Sequence, residues 1–138
     1  MKILFIGDIV GKSGREALSR NIQELKEKFY PDIIIANAEN AASGYGLTKK
    51  IANELFNQGI HVLTLGNHAW DQKEMLSYIQ ECPKIIRAIN YPKDVPGKGK
   101  YKLVLEDGRS IIIMQKYDEW WHKLTNNHNV KYARVNNI

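Results

Sequence analysis

A single cysteine, Cys82, in 138 residues excludes an intrachain disulfide. It stands between Glu81 and Pro83, where a helix should end, and no histidine adjoins it to make its thiol a nucleophile. Such sparing use of cysteine fits a reducing compartment. No stretch reaches the roughly 20 apolar residues of a membrane-spanning helix. The opening MKILFIGD is broken by Gly7 and Asp8 before it could form the apolar core of a secretory signal. The expectation is a cytoplasmic protein with no membrane partner. Basic runs are lacking too: the net charge of +5 is scattered, with only Lys49-Lys50 and the Lys98, Lys100, Lys102 alternation as clusters. A solvated basic surface explains this better than an anionic partner such as nucleotide, RNA or a membrane surface does.

What is there is an ordinary soluble composition, 43% hydrophobic and 25% charged, in a chain long enough to bury one core. Ile3-Leu4-Phe5-Ile6 is a short apolar run, the form of a strand buried on both faces. Leu18, Ile22, Leu25 and Phe29 follow at helical spacing, with Arg20, Glu24 and Lys28 turned outward. Pro31 stops that helix, and Asp32 to Ala36 reads as a second buried strand. After a polar loop, Thr48 can cap a helix carrying Ile51, Leu55 and Phe56, which Gly59 ends. A third strand is expected over Ile60 to Leu65, then a loop, then a helix with Asp71 and Glu74 as a capping box and Met75 and Ile79 inward. This βαβαβα rhythm predicts an α/β fold on a parallel sheet. Beyond Pro83 it changes to a short strand at Ile85 to Ile89 and a turn-rich connection. A hairpin follows, its strands flanking Asp107-Gly108 as a two-residue turn. Residues 115–138 are rich in asparagine and lack apolar periodicity, and are expected to be an irregular, poorly ordered tail.

The polar residues fall in a pattern. Asp8 follows the first strand, Glu39-Asn40 the second and Asn67-His68 the third. In a parallel sheet these loops open at one carboxyl edge, where α/β proteins bind ligands. Carboxylate and amide oxygens suit hard or borderline divalent cations such as Mg²⁺, Mn²⁺ or Fe²⁺, and a pair of such ions can clamp a phosphoryl displacement. His68 could then protonate the leaving oxygen. Taken singly, each residue has a plainer role: Asp8 as a turn or cap residue, Glu39-Asn40 as solvated loop, His68 as a polar loop residue. Their recurrence at three successive strand ends favours a site. Gly44 and Gly46 beside Glu39 could let backbone approach a phosphate or simply serve a turn.

At these residues the sequence resembles the calcineurin-like metallophosphoesterases, in the bacterial branch typified by 2′,3′-cyclic-nucleotide 2′-phosphodiesterases. The segments that carry the likeness are GDIVGKSGR around Asp8, ANAENAASGYGLT around Glu39-Asn40 and TLGNHAWD around Asn67-His68, with RAINYP and VPGKGK after them. The resemblance covers Met1 to about Met114, which implies the amino-terminal half of a four-layer metallophosphoesterase sandwich over residues 1–114. It further implies hydrolysis of phosphodiesters, such as cyclic nucleotides or RNA ends, at a centre of two divalent ions, iron or manganese. Asp8, Glu39, Asn40 and Asn67 would be ligands, Glu39 bridging, and His68 the general acid. Val10 stands where the wider superfamily has a histidine, and Glu39 where it has an aspartate, both as this branch does.

The same family places further ligands in its second half, among them a His-x-His pair, and this chain contains no such pair. His122 and His128 are the later histidines, six apart, and are expected at the surface. The change of composition after Gln115 reads as an altered frame or early stop in a truncated gene. Apolar surface and strand edges would then be left open, favouring self-association or a completing chain. Two other outcomes stay open: an inactive remnant that binds metal or nucleotide weakly, and a small basic RNA-binding protein using Tyr117, Trp120 and Trp121 as stacking residues.

Overall fold

The protein is described by a computed structural model over residues 1–116. The expectations attached to Tyr117, Trp120, Trp121, His122, His128 and the irregular tail lie outside the described residues. Strands β1 (Ile3–Asp8), β2 (Ile33–Asn37), β3 (Val62–Leu65) and β4 (Ile85–Arg87) alternate with helices α1 (Gly11–Phe29), α2 (Lys49–Asn57) and α3 (Met75–Glu81). The four strands form one parallel sheet in the order β1-β2-β3-β4. An antiparallel hairpin follows, β5 (Lys100–Val104) and β6 (Ser110–Met114). This is the expected α/β start with its hairpin.

The sheet divides the core. On one face, Ile34, Leu63 and Leu65 meet Leu18 and Ile22 of α1, Ile51 and Leu55 of α2, and Met75 and Ile79 of α3. On the other, Ile33, Ile35, Val62 and Ile86 are covered by the hairpin through Ile113, Tyr101, Leu103 and Ile111. Burial from both sides explains why β2 and β3 are apolar at almost every position. Thr48 caps α2 as anticipated, its hydroxyl accepting the Ile51 N–H at 3.2 Å, a contact typically worth about 1 kcal/mol.

Four expectations need correction. β1 is not buried on both faces: Leu4 and Ile6 pack on the helical side, but Ile3 is 47% and Phe5 59% exposed, because the hairpin reaches only as far as β2. Phe29 is 46% exposed at the last position of α1, its ring facing the Lys28 ammonium at 5.4 Å rather than joining the core. Asp71 and Glu74 form no capping box: α3 has no side-chain cap, and Glu74 instead accepts the Lys49 N–H at 3.0 Å, at the start of α2. The hairpin turn is longer than two residues. Gly108 N–H donates to Leu105 O at 2.9 Å, Leu105 N–H to Arg109 O at 2.8 Å, and only Gly108 takes a positive φ, +84°. That is a type I turn with a glycine bulge.

One ionic cluster ties the hairpin to the sheet. Asp32, before β2, accepts Arg109 from the hairpin turn at 2.6 Å and the Lys2 N–H at 2.5 Å, 3.9 Å from the terminal amine. Arg109 also grips Asp107 at 2.6 Å. The Arg109 hydrogen bond, then that from Lys2, draws the Asp32 carboxyl down from 3.8 to about 2. The folded state thus holds this proton less readily than the unfolded chain. The resulting stabilisation is complete above the unfolded pKa and is lost as pH falls through that of the folded state. Asp32→Asn should lower the urea midpoint near neutrality, and the deficit should vanish towards pH ~2. A deficit constant across that range would show that Asp32 acts through something other than its charge.

Candidate active site

The parallel register sets out the site. Asp8 ends β1 opposite Asn37, after an irregularity at Gly7, and Ile9 N–H donates to Asn37 O at 3.0 Å. Ala38 N–H donates to Thr64 O at 3.0 Å, so the chain leaving β2 is held against β3. The loop after β2 then folds over the start of α1: Gly11 N–H reaches Asn40 O at 2.9 Å, and the Arg15 guanidinium donates to Ala41 O. The loop closes on itself where Gly46 N–H meets Glu39 O at 2.6 Å and Gly44 N–H meets Asn40 O at 2.9 Å. Gly44 and Gly46 have φ of +88° and +76°, so both serve the turn.

Asp8 and Asn40 are joined directly, Asn40 Nδ2 donating to Asp8 Oδ2 at 2.8 Å. Glu39 is held from below by Asn37, whose amide donates to Oε1 at 3.1 Å and whose Oδ1 accepts the Glu39 N–H at 3.3 Å. The other carboxylate oxygen, Oε2, is buried with no hydrogen-bond partner. Glu39 lies against Gly66 so closely that any Cβ at position 66 would overlap both carboxylate oxygens. Position 66 must therefore be glycine for Glu39 to point where it does. Asn67 and His68 come next in the chain, so the expected residues are brought together: Asp8 with Asn40, and Glu39 with the backbone that carries Asn67. Asn67 is exposed.

His68 is not a free loop residue. Its Nδ1 lies 2.5 Å from Asp71 Oδ2, and Tyr45 meets its ring edge-on at 5.7 Å between centroids. Tyr45 is held in turn by Gln72, which donates to its carbonyl at 2.7 Å. Because a carboxylate only accepts, Nδ1 carries the hydrogen, which leaves Nε2 to give or take a proton. Sequence reading missed Asn37, Asp71 and Gly66 as parts of the site. Asp71 did carry a signal, its i+3 offset from His68, but its spacing to Glu74 suits a helix cap equally well. Trp70 and Tyr91 stack edge-on at 4.8 Å behind this loop, and the Tyr91 hydroxyl donates to Gly66 O at 3.3 Å. Arg87, buried at the end of β4, donates to the carbonyls of Ala88, Pro92 and Pro96 at 2.8 to 3.3 Å and so shapes the adjoining loop.

For a divalent cation the donors fit in kind. Asp8, Glu39, Asn40 and Asn67 offer hard oxygens, and a buried carboxylate oxygen without a partner is costly unless a cation or proton donor attends it. In number they fall short of a two-ion site. Among the described residues no three His, Cys, Asp or Glu side chains are grouped to hold a metal. No helix among them is long and apolar enough to cross a membrane.

Comparison with known proteins agrees with the motifs. The family model described as YmdB-like protein matches residues 4–135, beyond Met114, where the likeness in motifs ends. The 2′,3′-cyclic-nucleotide 2′-phosphodiesterase of Bacillus subtilis is 46% identical over 114 residues, which are 83% of this chain and 43% of that protein. A crystal structure of a hypothetical protein from Thermus thermophilus superposes with a TM-score of 0.76 at 37% identity, covering 84% of this chain and 44% of that one. A phosphatase structure from Mycoplasma pneumoniae gives 0.75 at 32% identity, covering 83% and 42%. The chain thus spans somewhat over two-fifths of the length of these relatives. Fold, motifs and family match agree, and the chain belongs to the YmdB-like protein family, of metallophosphoesterase type.

Proposed function

We propose that this chain serves in the metal-dependent hydrolysis of phosphodiester bonds, with 2′,3′-cyclic nucleotides as the substrate class and two divalent ions, iron or manganese, as cofactors. The observation that carries the proposal is the half-buried Glu39 carboxylate, its Oε2 buried and unpartnered, next in the chain to the Asn40 that holds Asp8 and packed against Gly66, which leads into Asn67 and His68. The name of the Bacillus subtilis relative supports the reaction class. Asp8, Glu39, Asn40 and Asn67 would hold the metal. Divalent ions bound there would act as Lewis acids on the phosphoryl group.

The chain's own residues have separable tasks. Asn37 and Gly66 fix the direction of the Glu39 carboxylate, one by hydrogen bonds and the other by leaving room for it. Asn40 holds Asp8 in place through its amide. Asp71 fixes the His68 ring with the hydrogen on Nδ1, so that the protonated imidazole presents a second N–H, at Nε2, to the departing ribose oxygen. Because the relatives are more than twice as long as the segment matched here, the remaining donors would come from polypeptide beyond the described residues.

Substitution separates these roles. With Mn²⁺ or Fe²⁺ and the polypeptide that supplies those remaining donors, the chain should hydrolyse 2′,3′-cyclic AMP, and Glu39→Gln should lower turnover by about 10²-fold or more, since it removes charge but little volume. His68→Ala should lower turnover by about 10²- to 10⁴-fold while Mn²⁺ binding persists. Full turnover in Glu39→Gln would overturn the assignment; no turnover from the folded, Mn²⁺-treated parent chain would confine it to a fragment that is inactive by itself. Gly66→Ala should reduce both Mn²⁺ affinity, measured by calorimetric titration, and thermal stability, because its methyl group displaces the Glu39 carboxylate. Unchanged affinity and melting temperature would mean that the carboxylate does not need that space.

A further inference from the structure

Among the described residues the exposed large aromatic side chains are Phe5, Phe29, Tyr30 and Tyr45. Phe29 and Tyr30 close α1 just before β2, at the amino end of the sheet, and Phe5 lies within β1. Tyr45 alone of these stands at the carboxyl edge, in the loop that carries Glu39 and Asn40. Trp70 and Tyr91, near the same edge, are half-buried and packed on each other.

The turn does not require a tyrosine at position 45. Its left-handed angles fall on Gly44 and Gly46, so an ordinary L-residue suits the position between them. The backbone is nevertheless held firmly. Tyr45 N–H donates to Ala42 O at 3.0 Å, and Gln72 donates to the Tyr45 carbonyl at 2.7 Å. The ring meets His68 edge-on at 5.7 Å between centroids, and the residue is still 63% exposed. Orienting His68 does not need it, since Asp71 already fixes that ring through Nδ1. What remains is an aromatic face, positioned in advance beside the candidate acid and open to solvent. Such a ring loses little freedom when a ligand arrives, and every nucleobase offers it a face to stack on.

We propose that Tyr45 stacks on the nucleobase of the substrate and so makes the site select nucleotides over other phosphodiesters. The proposal rests on the phosphodiesterase reading above and adds to it the residue that reads the base. The Bacillus subtilis relative is named as a 2′-phosphodiesterase. In a reaction of that kind the bond between phosphorus and O2′ breaks. Water supplies the oxygen that joins phosphorus, and O2′ takes a proton, leaving the 3′-monophosphate. O2′ and the base sit on adjacent ribose carbons. A protonated His68 that reaches O2′ therefore has the base close by, and the exposed ring in contact with His68 is Tyr45.

The test is calorimetric binding of two ligands to the 138-residue chain in the presence of Mn²⁺. One is adenosine 3′-monophosphate; the other is methyl riboside 3-phosphate, which keeps the sugar and phosphate but lacks the base. The chain should bind the nucleotide tighter by about tenfold or more. Tyr45→Ala should abolish that preference and leave affinity for the riboside phosphate unchanged, whereas Tyr45→Phe should keep both. Thermal melting verifies that the variants fold, and Tyr45→Ser serves if the alanine variant does not. Equal binding of the two ligands by the parent chain, or a preference that survives Tyr45→Ala, overturns the stacking role and leaves the phosphodiesterase reading standing. Equal weakening of both ligands in Tyr45→Ala also overturns it, because the ring would then serve only the shape of the loop. Binding of neither ligand by the folded parent chain counts against the phosphodiesterase reading itself, and the stacking role falls with it.

Discussion

The carboxylate of Glu39 occupies the volume that any side chain at position 66 would need, and most of the site's geometry depends on that close approach. It sets the loop after β2 against the loop after β3 and buries one oxygen of an acidic group, Oε2, beside backbone. Asn37 then has to be a residue that both donates and accepts, since its amide holds Oε1 while its carbonyl oxygen takes the Glu39 N–H. The turn closing behind Glu39 needs glycine at 44 and 46, where φ is positive. The close approach thus accounts for the residue types at 37 and 66, and the turn behind Glu39 for those at 44 and 46.

The rest of the fold serves to hold those loops in register. β2 and β3 are clamped between helices and hairpin, which keeps the carboxyl edge rigid where Ala38 crosses to Thr64. The hairpin is anchored at the opposite, amino end of the sheet by Arg109 on Asp32, so the site and the ionic anchor do not compete for the same groups. β1 is the exception. It supplies Asp8 to the site from a strand covered on one face only.

Much of this was legible in the sequence, for reasons that also mark its limits. Strands buried in a parallel sheet leave apolar runs, and helices leave a stripe, so the βαβαβα order could be read directly. The polar residues at the strand ends followed, because topology alone sends those loops to one edge. Partnerships between them were not legible. Asp71 at His68 looks the same in sequence as Asp71 at a helix start, and nothing local links Arg109 to Asp32 across 77 residues. The apolar run of β1 was misread for a related reason: Ile3 and Phe5 look the same in sequence as the buried residues of β2, although the hairpin does not reach them. The extra residue in the hairpin turn was missed because Asp-Gly suits a two-residue turn and a glycine bulge alike.

The most direct test of the central claim is to crystallise the chain with Mn²⁺ and locate the ion by its anomalous scattering. The account predicts a peak within coordination distance of Glu39 Oε2, with Asp8, Asn40 or Asn67 among its other ligands. Strong Mn²⁺ peaks elsewhere, with the Glu39 carboxylate still unpartnered, would contradict it.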